Sequence, residues 1–169
     1  MKMMTPSKTT TTKNDDTTVT LPSDKEILIT RTFNAPRKLV WEAMTKPEHV
    51  QQWYGLKGTA LASCEMDVRV SGKWRYVIRA PDGSEVAFSG VYREIRAPER
   101  VVQTWNYEPI PGAESLETMT LEERDGKTLM TTRVLHKSKE NRDGHLHSGM
   151  EPGMRETLAR LDDLLSKIA

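Results

Sequence analysis

Residues 61–134 read LASCEMDVRVSGKWRYVIRAPDGSEVAFSGVYREIRAPERVVQTWNYEPIPGAESLETMTLEERDGKTLMTTRV, hydrophobic runs cut at near-regular intervals by turn residues. The breaks are Ser71-Gly72, Pro81-Asp82-Gly83, Ala97-Pro98-Glu99, Pro109-Ile110-Pro111-Gly112 and Asp125-Gly126. Such residues supply the fixed or positive backbone angles that join antiparallel strands. The five breaks separate six strands. A helical pattern, MEPGMRETLARLDDLLSKI over 150–168, follows. A meander with one long helix after it is a sheet that must find its cover in that helix.

Side chains along a strand alternate between faces, so the sequence assigns faces as well as elements. Cys64, Met66 and Val68 oppose Glu65, Asp67 and Arg69; Trp74, Tyr76 and Ile78 oppose Arg75 and Arg79; Val86, Phe88 and Tyr92 oppose Glu85, Ser89 and Arg93. Strands over Arg100–Tyr107, Glu117–Glu123 and Lys127–Leu135 add Val101, Trp105, Met119, Leu121, Met130 and Val134, with their parity open. One face is apolar and rich in rings. In the terminal helix, expected over about 148–168, Met150, Met154, Leu158, Leu161, Leu165 and Ile168 recur at spacings of three and four. Its first half is methionine, which packs adaptably, so ligand space is expected at that end.

Upstream, Glu26–Phe33 is the first strand, a β-branched mix suited to burial. Pro36, with Asn34 ahead as a cap, opens a short helix containing Leu39, Val40, Ala43 and Met44; Pro47 opens a second that Gly55 stops. Residues 1–23 are threonine-rich and polar, which predicts a disordered tail and a single domain over 24–169. A net charge of +1 offers no electrostatic footprint for nucleic acid. No apolar stretch approaches the roughly 20 residues needed to cross a bilayer. A single cysteine, Cys64, precludes an internal disulfide and suits a reducing cytoplasm.

Several local patterns carry a family resemblance: Phe33-Asn34-Ala35-Pro36 leading to Val40-Trp41, Pro47-Glu48-His49-Val50-Gln51-Gln52-Trp53, and Asp67-Val68-Arg69-Val70-Ser71-Gly72-Lys73-Trp74. Ser89-Gly90-Val91-Tyr92-Arg93-Glu94-Ile95, Arg100-Val101-Val102-Gln103-Thr104-Trp105, Ser148-Gly149-Met150-Glu151 and Leu161-Asp162-Asp163-Leu164-Leu165 complete it over about 25–168. The chain resembles the START-like (SRPBCC) superfamily and, within it, the family named after the C-terminal domain of the activator of Hsp90 ATPase. The resemblance implies an α+β helix-grip, Bet v 1-like fold of order β-α-α-β6-α, with a curved antiparallel sheet around a long C-terminal helix and an internal cavity. It also implies binding of a small apolar molecule, as a carrier or sensor in the cytoplasm. The alternatives it leaves are an Hsp90-associated co-chaperone-like role and a cyclase- or hydrolase-type enzyme using the same cavity.

The ligand-binding candidates are Trp41, Trp53, Met66, Trp74, Tyr76, Phe88, Trp105, Met150, Met154 and Leu158, because rings and thioethers give contact area with few rotamers to freeze. Well-packed interiors use the same residue types, so each is equally a core filler. No catalytic residue, cofactor or metal site is assigned. His49, Asp67, Arg69 and Arg75 are the polar groups an enzyme would use, but parity turns Asp67 and Arg69 outward, where an ion pair is the simpler role. His136, His145 and His147 are spaced for a metal yet fall around a polar connection where solvated histidines are ordinary. Within that connection, 137–144 reads as a charged loop, either plainly solvated or able to gate the cavity mouth. The expected partners are an apolar small molecule and a chaperone, with no nucleic acid and no membrane, the chain being a monomer or weak homodimer.

Overall fold

A computed structural model describes residues 9–12, 17–55 and 58–168. Strand β1 (Thr9–Thr12) leads to β2 (Thr17–Thr20), β3 (Glu26–Phe33), α1 (Arg37–Thr45) and α2 (Pro47–Trp53). The meander follows as β4 (Ala60–Met66), β5 (Lys73–Arg79), β6 (Glu85–Arg96), β7 (Arg100–Tyr107), β8 (Ser115–Arg124) and β9 (Lys127–Leu135), then α3 (Lys139–Leu146) and α4 (Met150–Ile168). The nine strands form one sheet in the order β1-β2-β3-β9-β8-β7-β6-β5-β4, every neighbouring pair antiparallel. The first strand of the expected fold thus closes against the last, and the meander runs outward from there.

The expectation of a disordered tail over 1–23 is corrected for its described part. Thr17 and Val19 are 0% and 3% exposed, and β2 pairs with β3 in the register Thr17↔Arg31, Val19↔Ile29. The physical reason lies in β3, whose inward residues Ile27, Ile29 and Arg31 are all buried and need a partner strand. Arg31 Nη1 donates to Thr17 Oγ1 at 2.8 Å, and Arg155 Nη1 from α4 donates to the Thr17 carbonyl at 3.0 Å. Mean polarity hid an alternation, Thr17-Val19-Leu21, that suits a strand. The remainder of the tail lies outside the described residues.

The long helix is held along both flanks. On one side Arg160 Nη1 and the Thr157 hydroxyl donate to the Gly55 carbonyl at 2.8 and 3.2 Å, and Arg160 Nη2 donates to the Gln52 carbonyl at 3.2 Å. These acceptors lie at the C-terminal end of α2, where unpaired carbonyls favour a cation. On the other side Asp162 Oδ2 accepts from Arg31 Nη2 at 3.3 Å. Between the flanks Leu158, Leu161, Leu164 and Leu165 are buried in the main core with Phe33, Val40, Trp41, Val50, Trp53, Trp74 and Tyr76. A smaller core joins Val19, Ile27, Ile29 and Val134, with Leu146, Met150 and Met154 packed against it.

Two local expectations differ in detail. Asn34 does not cap α1; the Arg37 backbone N–H donates instead to Glu123 Oε1 of β8 at 2.7 Å. The charged connection over 137–147 is not a plain loop, because Lys139–Leu146 is helical. Ser138 caps it by accepting from the Asn141 N–H at 3.0 Å, and Arg142 Nη1 donates to the Ser23 carbonyl at 2.7 Å, tying α3 to the entrance of β3. No described helix is long and apolar enough to cross a membrane.

Candidate functional site

The inner face of the sheet is fixed by register. Met66 pairs with Trp74, Cys64 with Tyr76, Tyr76 with Phe88 and Trp74 with Gly90, so these residues share one face. Phe88 pairs with Tyr107 and Tyr92 with Gln103, which places Gln103, Trp105 and Tyr107 on that face of β7. The pairs Gln103↔Glu117 and Val101↔Met119 then set Glu117 and Met119 there as well. Tyr54, at the end of α2, and Met154 and Leu158 of α4 cover it.

The rings on this face touch. Trp74 and Trp105 have centroids 4.5 Å apart, Trp74 and Tyr76 4.8 Å, and Tyr54 and Tyr76 4.9 Å. Phe88 lies 5.8 Å from Trp105, and Tyr54 stacks on Trp105 at 6.3 Å. These spacings are those of tilted and edge-to-face aromatic packing. Gly90 allows the crowding: a Cβ there would collide with the Thr104 carbonyl oxygen and press on Trp74 Nε1. Trp74 is buried, whereas Tyr54, Leu61, Cys64, Met66, Phe88, Trp105, Glu117 and Met154 keep accessible surface, all but Glu117 while packing against the main core.

Nine of the ten ligand-binding candidates meet here or in the core around it. Trp41, Trp53, Trp74, Tyr76 and Leu158 are buried, and Met66, Phe88, Trp105 and Met154 are half-buried against them. Trp53 is engaged structurally, its indole N–H donating to the Ala43 carbonyl at 2.8 Å. Met150 stands apart in the smaller core with Leu21 and Leu146, so of the two methionines only Met154 reaches the rings.

Glu117 is the residue that the sequence pattern does not single out. The parity of its strand is open on sequence alone, although Met119 and Leu121, both buried, imply that 117 points inward. Burial lifts its carboxyl to about 7, against a nearby Trp105 indole that favours the charged form. The indole N–H itself makes no well-formed hydrogen bond. Its influence on Glu117 is therefore one of proximity, and desolvation wins. Burial also raises the phenols of Tyr54, Tyr76 and Tyr92, and lifts the Cys64 thiol to about 11, which leaves it a poor nucleophile.

The remaining polar candidates lie elsewhere. Asp67 accepts both bonds from Arg69 Nε, at 2.9 and 2.8 Å, on the exposed outer side. Arg75 makes a two-pronged pair with Glu108 at 2.9 Å, within an open groove of about 690 Å³ on the outer face. His136 Nε2 and His145 Nδ1 are 3.0 Å apart and bond to each other, while His147 terminates α3. Among the described residues no group of histidine, cysteine and carboxylate side chains converges on a metal position.

Comparison with known proteins bears on the family and the fold. The family model described as activator of Hsp90 ATPase homolog 1-like protein matches residues 34–166. A search of curated proteins gave no match. Among solved structures, a Rhodobacter sphaeroides protein aligns with TM-score 0.81 at 25% identity, over 87% of this chain and 95% of its own. One from Nitrosomonas europaea aligns with TM-score 0.78 at 25% identity, over 86% and 97%. The AHSA1 protein of Silicibacter pomeroyi shares the fold with TM-score 0.69 at 21% identity, over 85% and 99%.

Proposed function

Because the chain belongs to the family of activator of Hsp90 ATPase homolog 1-like proteins, we propose that it binds one small, largely apolar molecule between the inner face of the sheet and α4. It acts as a carrier or sensor and performs no chemistry on what it holds. The observation that carries this reading is the accessible surface kept by Tyr54, Met66, Phe88, Trp105 and Met154 while they pack against the core that α4 helps to form. Rings and a thioether around it are the lining expected of a small-molecule pocket. A cytoplasmic setting accords with the single free thiol, Cys64.

The test is titration with N-phenyl-1-naphthylamine, an uncharged dye that fluoresces when it enters an apolar site. One equivalent is expected to bind, with quenching of indole emission from Trp74 and Trp105. Trp105→Ala removes a wall of the space and is expected to change dye affinity by about tenfold or more. Binding that does not saturate, or is the same in Trp105→Ala, would contradict the reading.

A further inference from the structure

Among the described residues the inner face carries one acidic side chain, Glu117, beside a connected group of rings that includes Tyr54, Trp74, Tyr76, Phe88 and Trp105. Gln103 of β7 and Val134 of β9 flank Glu117 in register, and neither ionises. By register Trp105, two residues along β7 from Gln103, stands diagonally across from Glu117, while Tyr54 packs on Tyr76 at 4.9 Å and Cys64 pairs with Tyr76. Met154 and Leu158 belong, with Leu161, Leu164 and Leu165, to what α4 brings to the same core. Among the described residues no lysine, arginine or histidine pairs with Glu117; Arg155 and Arg160 of α4 reach the Thr17 and Gly55 carbonyls.

A carboxylate left alone in such a place is costly, and the protein offers it no cation. The rings present electron-rich faces. Tyr54, Tyr76, Phe88, Trp74 and Trp105 all have centroids within 4.5 to 6.3 Å of at least one other member, which makes a continuous aromatic wall. Aromatic faces and a desolvated carboxylate favour the same guest, a positive charge on an apolar frame. An anionic guest would meet Glu117 with like charge, and a neutral apolar guest would leave its carboxylate without a cation.

We infer that the molecule bound between sheet and helix is a cation with an apolar body, an alkylated or aromatic amine or ammonium, whose charged nitrogen lies between Glu117 and the rings of Tyr54, Tyr76 and Trp105. This deepens the binding function proposed above and rests on it. Glu117 and the rings act together on such a guest, the carboxylate neutralising its charge while the rings replace its water.

Phenyltrimethylammonium and its uncharged carbon isostere tert-butylbenzene separate the two ideas, because they match in shape and differ in charge. The titration is made at pH 8, above the value of about 7 at which Glu117 ionises. The ammonium is expected to bind about tenfold tighter than the isostere, read by quenching of indole fluorescence. In Glu117→Gln the ratio of the two affinities is expected to fall to about one or to reverse. Equal or weaker binding of the ammonium by the unaltered protein overturns the inference, and that arm needs no variant. Binding of tert-butylbenzene with no gain from charge leaves the pocket standing and removes its cationic ligand. Binding of neither overturns both.

Discussion

Glu117 gains stability for the fold when it is protonated. Its carboxyl is lifted from an unfolded value near 4.5 to about 7, so its contribution is fully present below pH 4.5 and is lost as the pH rises through 7. Glu117→Gln keeps the shape without the charge. Its stability relative to the unaltered protein is expected to rise between pH 4.5 and 8 by on the order of 2 kcal/mol, measured as the change in urea midpoint. A difference that is flat with pH would contradict the buried placement of the carboxyl. A second residue-scale expectation concerns Gly90. The added methyl of Gly90→Ala meets backbone, the Thr104 carbonyl, which has no rotamer to escape by. A loss of roughly 3 kcal/mol is expected in equilibrium unfolding, well above an ordinary surface change. At this scale the sequence is half legible. Alternation alone places Met66, Trp74, Tyr76 and Phe88 on the inner face. Glu117 escapes because β8 reads Leu116-Glu117-Thr118-Met119, where one charged residue at an inward position blurs the period.

Among the helices, α4 contributes the most buried side chains, Leu158, Leu161, Leu164 and Leu165. Leu161 is fully buried at its middle, and Leu161→Ala is expected to cost about 2 to 5 kcal/mol by thermal or urea unfolding. The stripe that identifies this helix is strong because every inward position is a large aliphatic or thioether. Helix α3 is illegible for the opposite reason: KENRDGHL has no apolar stripe, and what folds it is a Ser138 cap, a Lys139–Asp143 pair at 2.6 Å and the docking of Arg142 on Ser23. Tertiary bonds of this kind leave little trace in periodicity. The His136–His145 contact fastens the same helix to the end of β9. Burial, the neighbouring His145 and Arg142 depress His136 to about 4, and burial depresses His145. A histidine depressed in the fold lends stability above its unfolded value of 6.5 and loses it as the pH falls through 4. Amide exchange in α3 is therefore expected to quicken steeply between pH 6.5 and 4, after correction for the intrinsic rate. His136→Gln is expected to remove most of that dependence, and an unaltered profile would rule out the pair as its source.

For the whole molecule, the order of strands, two short helices, meander and long helix is readable from the chain alone, because turn residues and face alternation agree over the meander. What the sequence does not disclose is how the sheet ends. Its first edge is extended by β2 and β1, drawn in by the need of β3 for a partner, and the threonines that suggest disorder serve there as β-branched strand residues. With that edge closed by β2 and the smaller core, the accessible inner surface is left near Tyr54, Phe88, Trp105 and Glu117, toward the β4–β7 half of the sheet. A small ligand in that half would bridge α4 and the ring wall. Native mass spectrometry of the protein purified from its own cells, followed by organic extraction, tests this most directly. The expected result is one equivalent of a small molecule that carries a permanent or protonated positive charge, and is absent when Trp105→Ala is purified in the same way. An empty protein mass, unchanged after exposure to N-phenyl-1-naphthylamine, would contradict a ligand-binding function.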